Sequence, residues 1–122
     1  MEITKHRKYL SPLIAFLIFL FSCANLHAQE REMRKAMKHY QFQEYTRAIP
    51  WVKKAIEKNK ELYTAEKLLA AAYRKTKQYE LAELHYLLVV NSDSVEAEDH
   101  LYFGQVLKAN GKLAAAKEQF SK

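Results

Sequence analysis

At 122 residues the chain has room for one small domain at most. Two glycines and two prolines, against abundant Ala, Lys, Glu, Leu and Tyr, leave little material for sheets and point to an all-α fold. Setting aside residues 1–28, with Lys5, Arg7, Lys8 and Glu2, lowers the formal charge from +6 to +4. The remaining charges are interspersed, as in Arg74-Lys75 ahead of Glu80 and Glu83, which lacks the one-signed stripe of a nucleic-acid footprint.

The first thirty residues read as an address. Lys5, His6, Arg7 and Lys8 form a basic start, Leu13 to Phe21 is an unbroken apolar run, and small and polar residues follow to Ala28-Gln29-Glu30. That order is the layout of a secretory signal peptide, and the run is short of the about 20 residues a membrane span requires. Residues 1–28 are therefore expected to be a signal peptide cleaved after Ala28. The alternative is processing at Cys23, because Leu20-Phe21-Ser22-Cys23 resembles a bacterial lipobox, with Phe21 departing from the usual small residue. Either route leads to an exported protein, periplasmic or associated with the outer membrane. Beyond Cys23 there is no cysteine, hence no disulfide, thiol nucleophile or Cys-based metal site.

Helices are expected at Glu30–Gln41, Tyr45–Glu57, Tyr63–Lys75, Tyr79–Val90, Ala97–Ala109 and from Leu113 onward. Pro50 should bend the second helix without breaking it. Ser92-Asp93-Ser94 reads as a loop that caps the fifth helix, and Asn110-Gly111 as a helix stop. Glu83 is expected to stay in water. One fixed interval, that from Ala36 to Ala70, recurs along the chain without a gap. It aligns Ala36, Ala70 and Gly104; Tyr45, Tyr79 and Leu113; Ala48, Ala82 and Ala116; and Val52, Tyr86 and Phe120. Small residues let two antiparallel helices lie close, and bulky ones a turn away fill the space to the next pair.

Leu69-Ala70, Tyr73, Tyr79, Ala82, Tyr86 and Val89 in one copy, and Phe103-Gly104, Leu107, Gly111, Leu113, Ala116 and Phe120 in the next, resemble the tetratricopeptide (TPR) repeat family. The resemblance implies three antiparallel helix-turn-helix hairpins in a right-handed α-solenoid, at 29–62, 63–96 and 97–122. In the first copy Lys35 and His39 stand where bulky and aromatic residues belong. The last hairpin reads as incomplete at Phe120-Ser121-Lys122, which suggests the front part of a longer protein. The leader and the run Leu101 to Lys112 also resemble the start of OmpA-family envelope proteins of the type IX secretion and gliding kind. The peptidoglycan-binding domain of those proteins has no counterpart here.

No catalytic or metal constellation is expected. His39, His85 and His100 share no helix face, although His85 and His100 could meet across helices. Glu96, Glu98 and Asp99 read as favourable charge in a first helical turn. No cofactor or small-molecule substrate is implied, and the chain is expected to be no enzyme. The repeat frame instead places Met33, Met37, Tyr40, Lys67, Ala71, Arg74, Leu101, Tyr102, Gln105 and Lys108 along a groove. Such a groove suits a partner segment with apolar anchors and an acidic residue, from another cell-envelope protein. Packing against the neighbouring helix explains Met33, Met37 and Tyr40 equally well. The TPR carboxylate clamp is absent, since its places hold Met33, Met37, Leu68, Glu98 and Tyr102. The function expected is a protein-binding scaffold, or alternatively a lipid-anchored lipoprotein in outer-membrane assembly or maintenance.

Overall fold

A computed structural model describes the backbone of residues 2–58 and 63–122, and the side-chain surroundings of residues 11–24, 31–58 and 63–122. Among the described residues there are six helices and no strand: α1 (Glu2–Gln41), α2 (Tyr45–Lys58), α3 (Tyr63–Lys75), α4 (Tyr79–Val90), α5 (Ala97–Ala109) and α6 (Leu113–Phe120). The expected processing site after Ala28 and the repeat boundary at residue 62 lie outside the residues whose side chains are described. Each helix packs on the next in the chain, most extensively within α1–α2, α3–α4 and α5–α6. The all-α expectation is met.

Helices α2 to α6 follow the expected bounds closely, and α2 runs through Pro50 without interruption. The first helix departs from expectation. It begins at Glu2, not Glu30, and continues for 40 residues. Neither glycine nor proline occurs from Leu13 to Gln41, so no signal stops the helix. Among the described residues, no helix is long and apolar enough to cross a membrane.

Three turns show why the chain folds back at a regular interval. Gln43, Lys77 and Gly111 occupy equivalent places in the three copies and adopt left-handed backbone, with φ of 60°, 59° and 78°. Their N–H groups donate to the carbonyls of Tyr40, Arg74 and Lys108 at 3.0, 3.1 and 3.0 Å. The next residues, Glu44, Gln78 and Lys112, reach back to His39, Tyr73 and Leu107 at 2.9, 2.8 and 2.9 Å. This is the Schellman closure, which satisfies carbonyls that a helix end leaves unpaired. Glu44, Gln78 and Lys112 then accept bonds from the N–H groups of Ala48, Ala82 and Ala116, so each turn starts the next helix.

The small residues sit where the helices cross. Ala36, Ala48, Ala70 and Ala82 are fully buried, and Gly104 and Ala116 are nearly so. A Cβ at Gly104 would collide with the ring of Phe120 on the facing helix. One continuous core runs from Ala36 to Ala116 through Val52, Leu69, Tyr73, Tyr86, Val89, Phe103 and Val106. Burial of each large side chain in it contributes about 1.5–3 kcal/mol. Rings of Tyr86 and Phe103 stack at 6.4 Å across the α4–α5 junction.

Two local expectations are corrected. The cap of α5 comes from Glu96 and Asp99, not from Ser92 to Ser94: the Glu96 N–H donates to Asp99 Oδ2 at 2.9 Å. Glu83 does not stand free in water. It accepts bonds from Lys112 Nζ and, at 2.7 Å, from Asn110 Nδ2, tying α4 to the turn between α5 and α6. Burial alone would raise its pKa, but those two donors hold it below the ordinary carboxylate value.

Left-handed backbone disfavours side chains bearing a Cβ, so Gln43→Gly and Lys77→Gly should each stabilise the protein by about 0.5–1 kcal/mol, while Gly111→Ala should cost about 1 kcal/mol. Urea denaturation followed by circular dichroism checks all three. Destabilisation by both glycine substitutions would contradict the geometry described.

Candidate functional site

The odd-numbered helices present side chains one turn apart toward a common groove. Met33, Met37 and Tyr40 project from α1; Lys67, Leu68, Ala71 and Arg74 from α3; Glu98 and Tyr102 from α5. Positions one and two helical turns apart share one helix face, which is why a single side of each helix lines the space. The groove has a volume of about 470 Å³.

Seven of the residues expected from the sequence meet there: Met33, Met37, Tyr40, Lys67, Ala71, Arg74 and Tyr102. Leu101, Gln105 and Lys108 do not line it and are exposed on the surface of α5. Sequence reasoning misses Tyr45, Thr64, Lys75 and Tyr86. Tyr45 and Tyr86 belong to even-numbered helices, whose contribution to this side the repeat frame does not announce. Leu68 and Glu98 enter the sequence reading only where the TPR resemblance looks for a carboxylate clamp.

The two central cations have different surroundings. Lys67 Nζ lies 2.9 Å from both Glu96 Oε2 and Asp99 Oδ1. Asp99 is completely buried, and its Oδ2 also accepts bonds from the Tyr63 hydroxyl and the Glu96 N–H. Its contact with Lys67 is ionic and not an aligned hydrogen bond. Burial alone would raise the Asp99 pKa, but the Tyr63, Glu96 and Lys67 donors reverse that and leave it lowered. Burial likewise works against the Lys67 charge, and the contacts with the Asp99 and Glu96 carboxylates raise its pKa despite it. Glu96 and Asp99 of the expected acidic cluster therefore form a structural knot joining α3 to α5, and Lys67 belongs to it, while Glu98 stands apart.

Arg74 is the other cation. Its Nε donates to the Tyr86 hydroxyl at 3.3 Å, and its guanidinium lies 4.1 Å from the centre of the Tyr102 ring. Among the described residues no carboxylate lies within ion-pair distance of it. Burial raises the pKa of Tyr40 and Tyr86 although Arg74 opposes the shift. Both phenols remain neutral donors at physiological pH. Glu98 accepts a bond from the Tyr102 hydroxyl at 2.8 Å, which raises that phenol's pKa. The groove thus offers sulfur, aromatic and aliphatic surface around an arginine whose charge no described carboxylate neutralises.

The histidines serve separate contacts. His85 Nδ1 lies 2.6 Å from Glu66 Oε2 and its ring stacks on Tyr73. His100 Nδ1 lies 2.8 Å from Gln119 Oε1, and His39 Nδ1 lies 2.6 Å from Glu44 Oε2. The Glu66–His85 and His100–Gln119 pairs occupy the same rung of consecutive helix pairs, one repeat apart. Among the described residues, no three His, Cys, Asp or Glu side chains gather as a metal site. No protein-family model and no curated protein sequence matches the chain.

Asp99→Ala should destabilise the protein by about 2–4 kcal/mol, because it leaves the Tyr63 hydroxyl and the Glu96 N–H without their acceptor and Lys67 with Glu96 alone. With its folded pKa lowered, Asp99 contributes stability fully above about pH 4, its value in an unfolded chain, and loses it as the pH falls through the lower folded value. Thermal melts below about pH 4 should therefore show a flatter acid limb in Asp99→Asn than in the wild type. Parallel acid limbs would remove Asp99 from that role.

Proposed function

We propose that residues 29–122 are three hairpins of tetratricopeptide type, and that the chain is a non-enzymatic scaffold exported to the bacterial envelope. It holds a segment of another envelope protein in the groove between α1, α3 and α5. The recurrence of left-handed turns and buried small residues at one fixed interval supports the repeat assignment. The observation that carries the binding reading is Arg74, a cation without a described carboxylate partner, set among Met33, Met37, Leu68 and Tyr102.

A segment that fits this surface has apolar anchors and one acidic residue. Methionines adapt to varied apolar side chains, and an arginine held on an aromatic ring presents its donors to a carboxylate in fixed orientation. Lys67 contributes wall and not charge, because Asp99 and Glu96 already neutralise it. The likeness of the leader and of Leu101 to Lys112 to OmpA-family proteins supports a place at the outer membrane, as the front part of such a protein. A lipid-anchored lipoprotein is the second reading, favoured by Leu20-Phe21-Ser22-Cys23. Mass spectrometry of the mature N-terminus separates a lipidated Cys23 start from a Gln29 start.

Photo-crosslinking tests the groove in the cell that makes the protein. A benzoyl-phenylalanine replacing Met37 should trap a protein partner, and Arg74→Glu should reduce that trapping about tenfold or more, the loss of one charge-assisted anchor. The same probe replacing Gln105, outside the groove, should trap far less. Trapping at Gln105 with none at Met37 would move the binding surface elsewhere. Lys67→Glu is unsuitable for this purpose, since it breaks the Asp99 knot.

A further inference from the structure

Helix α4 departs from the other even-numbered helices. Its sequence from Tyr79 to Val90 carries apolar residues on every side, broken by Glu80, Glu83 and His85, a pattern closer to that of a covered helix than of a surface one. Yet Leu81, Leu84, Leu87 and Leu88 are between 40% and 61% exposed. None of them lines the groove. Single exposed leucines call for no explanation, but four on three turns of one helix make an apolar face, with the exposed Glu80 at its N-terminal end.

The repeat register shows what flanks this face. The equivalent places on α2 are Arg47, Pro50, Lys53 and Lys54, all exposed. The ammonium groups of Lys53 and Lys54 rest near the rings of Tyr73 and Trp51, at 5.9 and 4.8 Å from their centres. Among the described residues neither ammonium pairs with a carboxylate. A leucine face therefore lies one repeat along from a basic one, on the side away from the groove. On α6 and just past its end the same places hold Ala115, Glu118, Ser121 and Lys122, so the combination is confined to α2 and α4.

From this juxtaposition we propose that the outer face of α2 and α4 makes a peripheral contact with an anionic phospholipid surface. Apolar side chains on a helix lying in the interface plane enter the boundary between headgroups and acyl chains. Lysines beside them keep their stems on apolar surface and reach the phosphates with their ammonium groups. A second copy of the chain is a poorer occupant. Four half-exposed leucines on one twelve-residue helix fall short of the roughly 800 Å² per partner that a standard interface buries. Because the lipid face and the groove are separate, failure of this proposal leaves the binding reading above standing.

The apolar run Leu13 to Phe21 is itself exposed and can hold vesicles, so the reporter must sit on the leucine face. In the full chain with Cys23→Ser, an environment-sensitive dye is attached through Leu84→Cys, and in a second protein through Leu88→Cys. Vesicles of phosphatidylcholine with phosphatidylglycerol should shift the emission of both dyes to the blue. The shift should be lost in Lys53→Glu/Lys54→Glu and on phosphatidylcholine alone. A dye that stays water-like while the chain sediments with the vesicles overturns the proposal. So does a shift that survives charge reversal or neutral lipid, or one that grows with protein concentration without vesicles and reports a second copy. A shift produced only by an added acidic protein overturns it as well.

Discussion

Two helices approach only as closely as the side chains between them allow, and every helix pair in this protein depends on that limit. Ala36, Ala48, Ala70, Ala82, Gly104 and Ala116 occupy the crossings. Any larger side chain there would push the rods apart and open space that the apolar residues a turn away could not fill. The regular spacing of the copies follows from this constraint together with the turns. Each turn must reverse the chain within a few residues, and the left-handed residue at its centre lets the last carbonyls of one helix be satisfied while the next begins. A regular crossing and a regular turn repeated three times place the odd-numbered helices on one side and the even-numbered ones on the other.

The charges are distributed in a way that the crossings make possible. Asp99 is fully buried at the start of α5, and a buried carboxylate without partners would cost several kcal/mol. It has partners from three places: a hydroxyl from Tyr63, an ammonium from Lys67 and a backbone N–H from Glu96. This knot joins α3 in the second pair of helices to α5 in the third. It also removes Lys67 from the set of charges open to a ligand. Arg74, two turns along the same helix, donates to the Tyr86 hydroxyl and lies over the Tyr102 ring, and no carboxylate among the described residues pairs with it.

Much of this is legible in the sequence, and the reasons for the failures are physical. Helix bounds can be read because apolar periodicity and small-residue recurrence are local patterns that tertiary packing only reinforces. The stop at Asn110-Gly111 is visible because glycine announces left-handed backbone. Gln43 and Lys77 take the same conformation without announcing it, since their turns are imposed by the packing of the helices on either side. Seven groove residues follow from helical spacing, but the neutralisation of Lys67 does not. Its partner Asp99 stands on the next odd-numbered helix, and in sequence Asp99 is indistinguishable from an ordinary charge in a first turn. Glu83 misleads for the same reason, as its partners Asn110 and Lys112 lie in the following repeat.

The even-numbered helices show how far one repeat frame can carry different surfaces. Val52, Tyr86 and Phe120 share a position, yet the first two are buried and Phe120 is 47% exposed beside Gly104. A repeat fixes where a side chain points, while the neighbours decide whether it is covered. Positions that point away from every neighbour are free of the packing constraint and can diverge without cost to the fold. That freedom is what allows α2 to carry lysines and α4 leucines at equivalent places. Because stability does not demand exposed leucines there, their concentration on α4 calls for a surface to meet them, and the lysines alongside, which no described carboxylate neutralises, set the sign of that surface.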